Sequence, residues 1–242
     1  DGDLGYAGLF AYIQEGQHGQ GGIVRNVGLV GGSITSTGNS GGIAGCNRDG
    51  TVENCYNTGS VSGTIAGGIV GRNFGGNIQD SYNMGAVSAS DDECVAGGIA
   101  GHNFNGHIQN CYNTGEISAS GNECAAGGIA GQNENAPVTI VNCYNTGSVT
   151  GDVSGSDRGY IGGIAGVNDG SSIKNCYSTG ALVNVTWGSH MYAGGIAGKN
   201  LDKPENVIEN AYYSGAQGVA FGADSGCVSM QQDAMRTAAF VD

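Results

Sequence analysis

The side chains that could perform chemistry are present in this 242-residue chain, but their spacing matches no known active site. The chain has 21 acidic residues and four histidines beside eight lysines and arginines. Polysaccharide cleavage requires paired carboxylates, or a carboxylate-held cation with a basic group, gathered on one face. The acidic residues are instead scattered, and no Ser or Cys is an obvious partner of the histidines His18, His102, His107 and His190. We therefore predict no catalytic residues and no enzymatic activity.

Metal binding is the second chemistry that the residue types suggest. Zinc sites commonly use cysteine pairs two to four residues apart or a His-Glu-x-x-His motif, and neither occurs in the sequence. Asp91, Asp92 and Glu93 form an acidic cluster whose oxygens suit Ca²⁺, although a solvated acidic rim explains them more simply. We predict no cofactor and no metal ligands, and we keep a weak Ca²⁺ site near this cluster as the alternative.

The strongest signal is a repeated segment, Gly-Gly-Ile-Ala-Gly-x-Asn, in which Val70 once replaces the Ala. Its six copies begin at Gly41, Gly67, Gly97, Gly127, Gly162 and Gly194. Each copy is followed by a second landmark, such as the run from Val52 to Gly59, and then by a short stretch of Ser, Thr, Ala and β-branched residues. A period of roughly 20 to 50 residues is typical of solenoids, propellers and arrays, whose repeats pack against their neighbours.

These landmarks predict an all-β fold, a single-stranded parallel β-helix that we expect to be right-handed. Each landmark has the length and alternation of a short strand, and its Gly and Asn residues permit positive φ at corners. We expect about seven coils of roughly 30 residues, with three short strands each. Helical repeats are excluded because 49 residues are Gly, which costs up to about 1 kcal/mol per residue in a helix.

The sequence predicts one solenoid domain over residues 1–242. Residues 1–40 form a degenerate first coil, in which Ile34 corresponds to Val61, residues 41–215 form the six repeats, and residues 216–242 form a cap. The Met, Gln, Ala and Arg residues between Met230 and Phe240 favour a short helix there. Such a cap would cover the strand edges of the last coil.

Stacking the coils turns each repeated position into a row along the solenoid. We expect an interior aliphatic row at Ile43, Ile69, Ile99, Ile129, Ile164 and Ile196. We expect an aromatic row at Tyr56, Tyr82, Tyr112, Tyr144, Tyr177 and Tyr212. We expect a row of amides, hydrogen-bonded to one another and to the corner backbone, at Asn47, Asn73, Asn103, Asn133, Asn168 and Asn200. Rows of this kind have a structural explanation, since a catalytic site is asymmetric and these rows repeat by translation.

The eight cysteines follow the same repeat. One row position holds Cys55, Cys111, Cys143 and Cys176 and elsewhere Ser81 or Ala211, so it requires a small side chain and predicts free thiols. Cys94 and Cys124 are also equivalent. Stacking would bring their Cα atoms within the roughly 4.4–6.8 Å that a disulfide accepts, and this bridge is the less favoured alternative to two free thiols. Cys46 shares its slot with polar residues, so we expect it to face solvent.

The opening motif together with Asn-Cys-Tyr-Asn-Thr-Gly resembles the GLUG repeat of bacterial surface proteins. Proteins with this repeat include adhesin-like chains and the non-catalytic regions of some immunoglobulin A1 protease-type proteins. The resemblance covers about Gly41 to Gly215 and is specific for the repeat, but it transfers no binding residues. It implies an exported bacterial protein, secreted or displayed on the cell surface.

Charge and hydropathy restrict the partners. A net charge of −13 disfavours nucleic acid and anionic membranes. No apolar run approaches the roughly 18 residues of a membrane span, so we predict no membrane insertion. The chain opens with neither Met nor a signal peptide, and we expect neighbouring domains of a longer chain.

We therefore predict a non-catalytic extracellular module that is structural or adhesive, with a host glycan or protein as the expected partner of an adhesive module. Binding is expected on the loops whose length varies between repeats, namely Pro137–Ile140, Gly151–Tyr160 and Val183–Tyr192. The last loop carries the candidate ligand contacts Trp187, His190 and Tyr192, together with Met191. The alternatives are an inert spacer that presents another domain and, less favoured, a polysaccharide-processing β-helix enzyme.

Overall fold

The backbone winds into a parallel β-solenoid of about six turns. The computed structural model describes residues 5–14, 21–135, 139–152, 158–183, 191–201, 207–214 and 227–229. Within these ranges there is no helix, and therefore none that could span a membrane. Every pairing between neighbouring strands in these ranges is parallel, as Ile34 and Val61 illustrate in the first turn. The predicted all-β solenoid is confirmed.

Four sheets run along the solenoid, and the chain visits them in order in each turn. Sheet 1 has seven strands, Tyr6–Ala7, Asn39–Gly41, Ile65–Gly67, Val95–Gly97, Ala125–Gly127, Gly159–Gly162 and Met191–Gly194. Sheet 2 has seven strands, Phe10–Gln14, Ala44–Arg48, Val70–Phe74, Ala100–Phe104, Ala130–Glu134, Ala165–Asp169 and Ala197–Asn200. Sheet 3 has 13 strands, Ile23–Arg25, Gly28–Leu29, Thr51–Glu53, Tyr56–Asn57, Asn77–Gln79, Tyr82–Asn83, His107–Gln109, Tyr112–Asn113, Thr139–Val141, Tyr144–Asn145, Ser172–Ser178, Ile208–Tyr213 and Cys227–Ser229. Sheet 4 has six strands, Ser33–Thr35, Ser60–Gly63, Val87–Ser90, Ile117–Ser120, Val149–Asp152 and Leu182–Val183.

Each turn between residues 39 and 152 contains five strands, whereas three were predicted. The second landmark is split at a corner where Asn54 has a φ of 51°. The opening motif is split after Gly41, so that one landmark supplies a strand to sheet 1 and a strand to sheet 2. The ends of the chain are described only in part, so the number of seven coils remains a prediction. The predicted helix near residues 230–240 lies outside the described residues and also remains a prediction.

Two apolar cores fill the solenoid. Sheets 2 and 3 enclose the first, and sheets 1 and 4 enclose the second. The predicted isoleucine row is confirmed, because its six members have no exposed surface and lie in the first core. The Gly two residues after each Ile is required by close packing. At Gly101, a Cβ atom would lie 2.8 Å from Cγ2 of Ile65 and 2.9 Å from the carbonyl oxygen of Ala66.

Two rows of buried amides tie the turns together. In the predicted row, Nδ2 of each Asn donates to Oδ1 of the Asn one turn further on at 2.8 Å, along Asn47, Asn73, Asn103, Asn133, Asn168 and Asn200. A second row, which the sequence analysis did not identify, makes the same 2.8 Å contacts along Asn57, Asn83, Asn113 and Asn145. The same Nδ2 groups also donate to corner carbonyls, such as that of Gly106. These amides thereby satisfy polar backbone groups in a dry interior.

The cysteines follow the prediction in part. Cys55, Cys111, Cys143 and Cys176 are free and buried, as expected of a row that requires small side chains. Cys94 and Cys124 form a disulfide across one turn, with Cα atoms 4.5 Å apart, so the expectation of two free thiols was wrong.

Cys46 corrects a second expectation. It was predicted to face solvent, yet it is only 2% exposed. Its neighbours in register are Tyr12 on one side and Arg72 on the other. Because the Cys46 side chain is short, the longer side chains of Tyr12 and Arg72 cover it.

We expect Asn103→Ala to lower the free energy of unfolding by about 2–4 kcal/mol, because it leaves buried hydrogen-bonding groups on Asn133 and Gly106 without partners. Gln109→Ala is the matched control, since Gln109 is exposed in the same turn, and it should change stability by less than about 0.5 kcal/mol. Denaturant unfolding measures both values. Equal effects of the two variants would contradict a stabilising role for the amide row.

Removing the disulfide with Cys94→Ser and Cys124→Ser should cost roughly 3–4 kcal/mol of stability, because the bridge closes a loop with a sequence separation of 30. Peptide mapping after alkylation without reductant should find both cysteines blocked. Cys111→Ser is the control, since Ser81 occupies the same row, and it should leave the effect of reductant unchanged. Labelling of Cys94 in the unreduced protein would contradict the bridge.

Candidate functional site

The outward positions of sheets 1 and 2 vary in residue type from turn to turn, whereas the inward positions repeat. The outer row of sheet 2 contains, in register, Tyr12, Cys46, Arg72, His102, Gln132, Val167 and Lys199. A row of sheet 1 contains Tyr6, Asn39, Ile65, Val95, Ala125, Tyr160 and Tyr192. Stacking does not dictate these side chains, so the ones that are at least partly exposed are where a ligand site can be built. Five members of the two rows are buried, namely Asn39, Cys46, Val95, Ala125 and Val167.

A pair of tyrosines is the first departure from repetition. The rings of Tyr160 and Tyr192 stack with centroids 5.5 Å apart. Nζ of Lys199 lies 4.9 Å from the centroid of the Tyr160 ring, in cation–π geometry. Tyr192 is 40% exposed. These three residues, the tyrosine–lysine patch, present an aromatic surface and a positive charge to solvent.

Tyr192 is thus the sequence-predicted contact that the structure places in an exposed aromatic patch. The other two, Trp187 and His190, lie outside the described residues, as do 136–138 and 153–157 of the other two loops.

A groove lies on the outer face of sheet 4. Its volume is about 410 Å³, and its lining includes Ser88, Glu116, Ser118, Ser148, Thr150 and Val183. Hydroxyl groups and one carboxylate can hydrogen-bond to sugar hydroxyls or to a peptide backbone. Val183 lines the groove, and Tyr192 belongs to the tyrosine–lysine patch. The two described ends of the loop predicted to bind ligands therefore each belong to a surface with binding chemistry.

The sequence analysis missed a cluster of cationic and aromatic side chains on sheet 2. This arginine–phenylalanine cluster consists of Arg48, Arg72, Phe74, His102 and Phe104. The guanidinium carbon of Arg72 lies 5.8 Å from the centroid of the Phe74 ring, and the rings of Phe74 and Phe104 are 4.9 Å apart. The available signal was that these residues occupy equivalent outer slots in consecutive repeats.

His102 is the histidine with a described carboxylate partner, since its Nε2 lies 3.2 Å from Oε2 of Glu134. Its other described side-chain neighbours include the rings of Phe74 and Phe104. A proton-transfer pair alone does not make a nucleophilic site, which also needs an oriented Ser, Cys or water. The described contacts of His102 therefore support packing and charge pairing.

The acidic cluster at residues 91–93 is exposed at a corner. Oδ1 of Asp92 accepts a hydrogen bond from Nδ2 of Asn122 at 2.9 Å, and Thr64 donates to Oδ2 of Asp91 at 3.4 Å. Among the described residues, no three His, Cys, Asp or Glu side chains converge closely enough to hold a metal ion. The weak Ca²⁺ site stays a prediction.

The tyrosine row on sheet 3 is stacked in the described structure. Centroids from Tyr56 to Tyr82 are 5.3 Å apart, and the three following steps, to Tyr112, Tyr144 and Tyr177, are each 4.9 Å. Burial raises the pKa of Tyr112, and the neighbouring phenols Tyr144 and Tyr82 raise it further. Burial likewise raises the pKa of Tyr144 and of Tyr177. The stack repeats evenly, which is typical of a structural row.

Comparisons with known proteins agree with this architecture. The GLUG motif matches residues 36–62, 92–118, 122–150 and 157–186. The chain contains GLUG repeats. A comparison with curated proteins finds no match. Among solved structures, that of a "putative immunoglobulin A1 protease" from Bacteroides ovatus is similar, with a TM-score of 0.60 and 21% identity, covering 86% of this chain and 68% of that one. At this identity the likeness shows a shared fold.

The GLUG matches help to separate scaffold from site. Each match includes strands of several sheets, and the unmatched turn at residues 65–90 continues the same rows. Arg72 and Phe74 lie between two matched segments, and Tyr192 and Lys199 lie beyond the last one. Both clusters therefore depend on residues outside the matched GLUG segments.

We expect stability to fall as the pH rises above about 10, where tyrosines of the unfolded chain ionise. The raised pKa values keep Tyr112, Tyr144 and Tyr177 protonated in the fold, so the unfolded state then binds fewer protons and unfolding is favoured. Below that pH these tyrosines are protonated in both states, so they do not change the free energy of unfolding with pH. Denaturant unfolding at pH 8 and pH 10.5 tests the effect, and Tyr112→Phe should reduce it. Phenols that titrate at or below the free value, followed by absorbance, would contradict the prediction.

Proposed function

We propose that this GLUG-repeat solenoid is a non-catalytic adhesive module, exposed outside a bacterial cell, that binds a host glycan or protein around residues 183–192. One observation carries the proposal: the two described ends of this loop, Val183 and Tyr192, belong to a hydroxyl-lined groove on sheet 4 and to the exposed tyrosine–lysine patch. Aromatic rings stack on sugars and on protein side chains, while hydroxyl and carboxylate groups orient the ligand. Both kinds of group lie next to this loop.

One feature supports an extracellular setting, and the net charge restricts the partners. The Cys94–Cys124 disulfide is a bond that persists mainly in oxidising, exported environments. The net charge of −13 favours solubility and disfavours nucleic acid and anionic membranes as partners. The immunoglobulin A1 protease name belongs to the structural neighbour, and the proposal gives this chain no proteolytic role.

The absence of catalysis is part of the proposal. The GLUG repeats build a scaffold whose interior rows are dictated by stacking. The described neighbours of His102 are aromatic rings and Glu134. Incubation with polysaccharides and with immunoglobulin should therefore release no product, and hydrolysis by the pure chain would overturn this part.

The second candidate function is an inert spacer. It is favoured by the unbroken row of buried amides from Asn47 to Asn200, which ties the turns into a stiff body. A spacer needs stiffness and no ligand contacts, so the outer clusters would have no binding partner.

A glycan and host-protein binding array on the intact chain separates the two functions. We expect at least one ligand whose affinity falls about tenfold in Tyr192→Ala, because a lost ring contact is worth roughly 1 kcal/mol or more. Deletion of residues 184–190 should weaken the same ligand. Gln109→Ala on sheet 3 is the control and should bind normally. Absence of any ligand for a cooperatively folded chain, or binding that both loop variants leave unchanged, would favour the spacer.

A further inference from the structure

The arginine–phenylalanine cluster has positive charge that the protein does not neutralise. Among the described residues the ion pairs are His102–Glu134 and Lys174–Glu209, so neither Arg48 nor Arg72 is in one. This is unusual in a chain with 21 acidic residues and eight basic ones. A charged surface on a protein of the opposite net charge points to a partner that the charge attracts.

Arg72 is held in place but is not satisfied. Its guanidinium lies against the Phe74 ring at 5.8 Å, and its Nε is buried without a hydrogen-bond partner. The Nη atoms also have no hydrogen bond within the described structure, and they are not among its buried unsatisfied atoms. The Nη atoms are therefore accessible to solvent, and their N–H groups can donate hydrogen bonds to a ligand. Because the guanidinium is already held in place, less side-chain entropy is lost when a ligand binds.

Arg48 supplies a second cation from the preceding turn. It is exposed, and in the sheet register it pairs with Phe74 on the next turn. Its guanidinium lies near the Tyr12 side chain, whereas the guanidinium of Arg72 lies over the Phe74 ring. Phe74 and Phe104 are partly exposed and 4.9 Å apart, so the aromatic surface continues over a further turn. On the far side, the carboxylate of Glu134 is paired with His102.

We propose that this cluster binds a carboxylated sugar, such as a uronic acid unit of an acidic polysaccharide. The carboxylate pairs with Arg72 and Arg48, since guanidinium groups bind carboxylates through paired hydrogen bonds. An apolar C–H face of the sugar ring packs on Phe74 and Phe104. The proposal goes beyond the function proposed above, because it adds a second binding surface whose residues are distinct from the tyrosine–lysine patch.

A sugar acid matches the cluster better than an acidic peptide does. In a uronic acid the carboxylate is attached directly to a rigid ring, so the charge and the apolar face are fixed next to each other. The cluster has the same arrangement, with the guanidinium of Arg72 over a phenyl ring. The carboxylates of Asp and Glu instead sit on flexible stems, whose ordering costs free energy on binding.

The test is titration calorimetry of the full chain with an oligogalacturonate, with its methyl ester as the uncharged control and with a sialyl oligosaccharide as a second carboxylated sugar. We expect binding of at least one carboxylated sugar and none of the ester. Arg72→Gln should weaken binding at least tenfold, which equals 1.4 kcal/mol, and Phe74→Leu should weaken it less. Arg25→Gln makes the same charge change at an exposed position of sheet 3 and should bind normally.

Four outcomes would overturn the proposal. The first three are no binding of either carboxylated sugar at millimolar concentration, equal losses in Arg72→Gln and Arg25→Gln, and equally strong Arg72-dependent binding of a polyglutamate peptide. Circular dichroism and unfolding of each variant establish that it is folded. Tyr192→Ala separates this site from the proposed function, since it should leave uronate binding unchanged. Uronate binding lost in Tyr192→Ala but kept in Arg72→Gln would place the ligand in the other patch and also overturn the inference.

Discussion

The hydrogen bond between equivalent amides on successive turns is the interaction on which the structure depends. Each buried Asn from Asn47 to Asn168 donates to the Asn of the next turn at 2.8 Å. These hydrogen bonds between equivalent side chains form only when each turn lies directly over the preceding turn. A turn shifted by one residue would bring these side chains to the opposite face and leave the amides unpaired in a dry core.

This demand for register explains the composition of the repeat. The Gly after each Ala of the opening motif leaves room for sheet 1, and corner residues with positive φ let the chain change direction without lengthening the turn. At Asn54 the corner residue has a φ of 51° and also donates to Asn26 on the surface. Asn accepts this conformation more readily than most residues and supplies a side-chain amide for stacking. Inward positions therefore have little freedom, and outward positions have much.

The same division decides what could be predicted from the sequence. The isoleucine and amide rows were predictable, because a residue that recurs at a fixed place in every repeat must stack on itself. The burial of Cys46 was not, since it depends on the lengths of Tyr12 and Arg72 in adjacent turns. The five strands of a turn were also missed, because two predicted segments are each divided, the second landmark by the positive φ at Asn54 and the opening motif by a break after Gly41. The disulfide had the right spacing, but spacing alone does not separate a bridge from two free thiols.

The arginine–phenylalanine cluster was missed for a related reason. Arg72 and Phe74 sit in one repeat, and His102 and Phe104 sit 30 residues later. Only the register of sheet 2 makes them neighbours. One member of this cluster and one of the tyrosine–lysine patch, Arg72 and Lys199, lie in the same outer row of sheet 2. They are four turns apart, or about 19 Å at the usual strand spacing. A substitution in one cluster should therefore leave the other unchanged, because sites that far apart with no shared contacts contribute additively. The repeats thus supply a frame on which the two outer clusters can be altered independently.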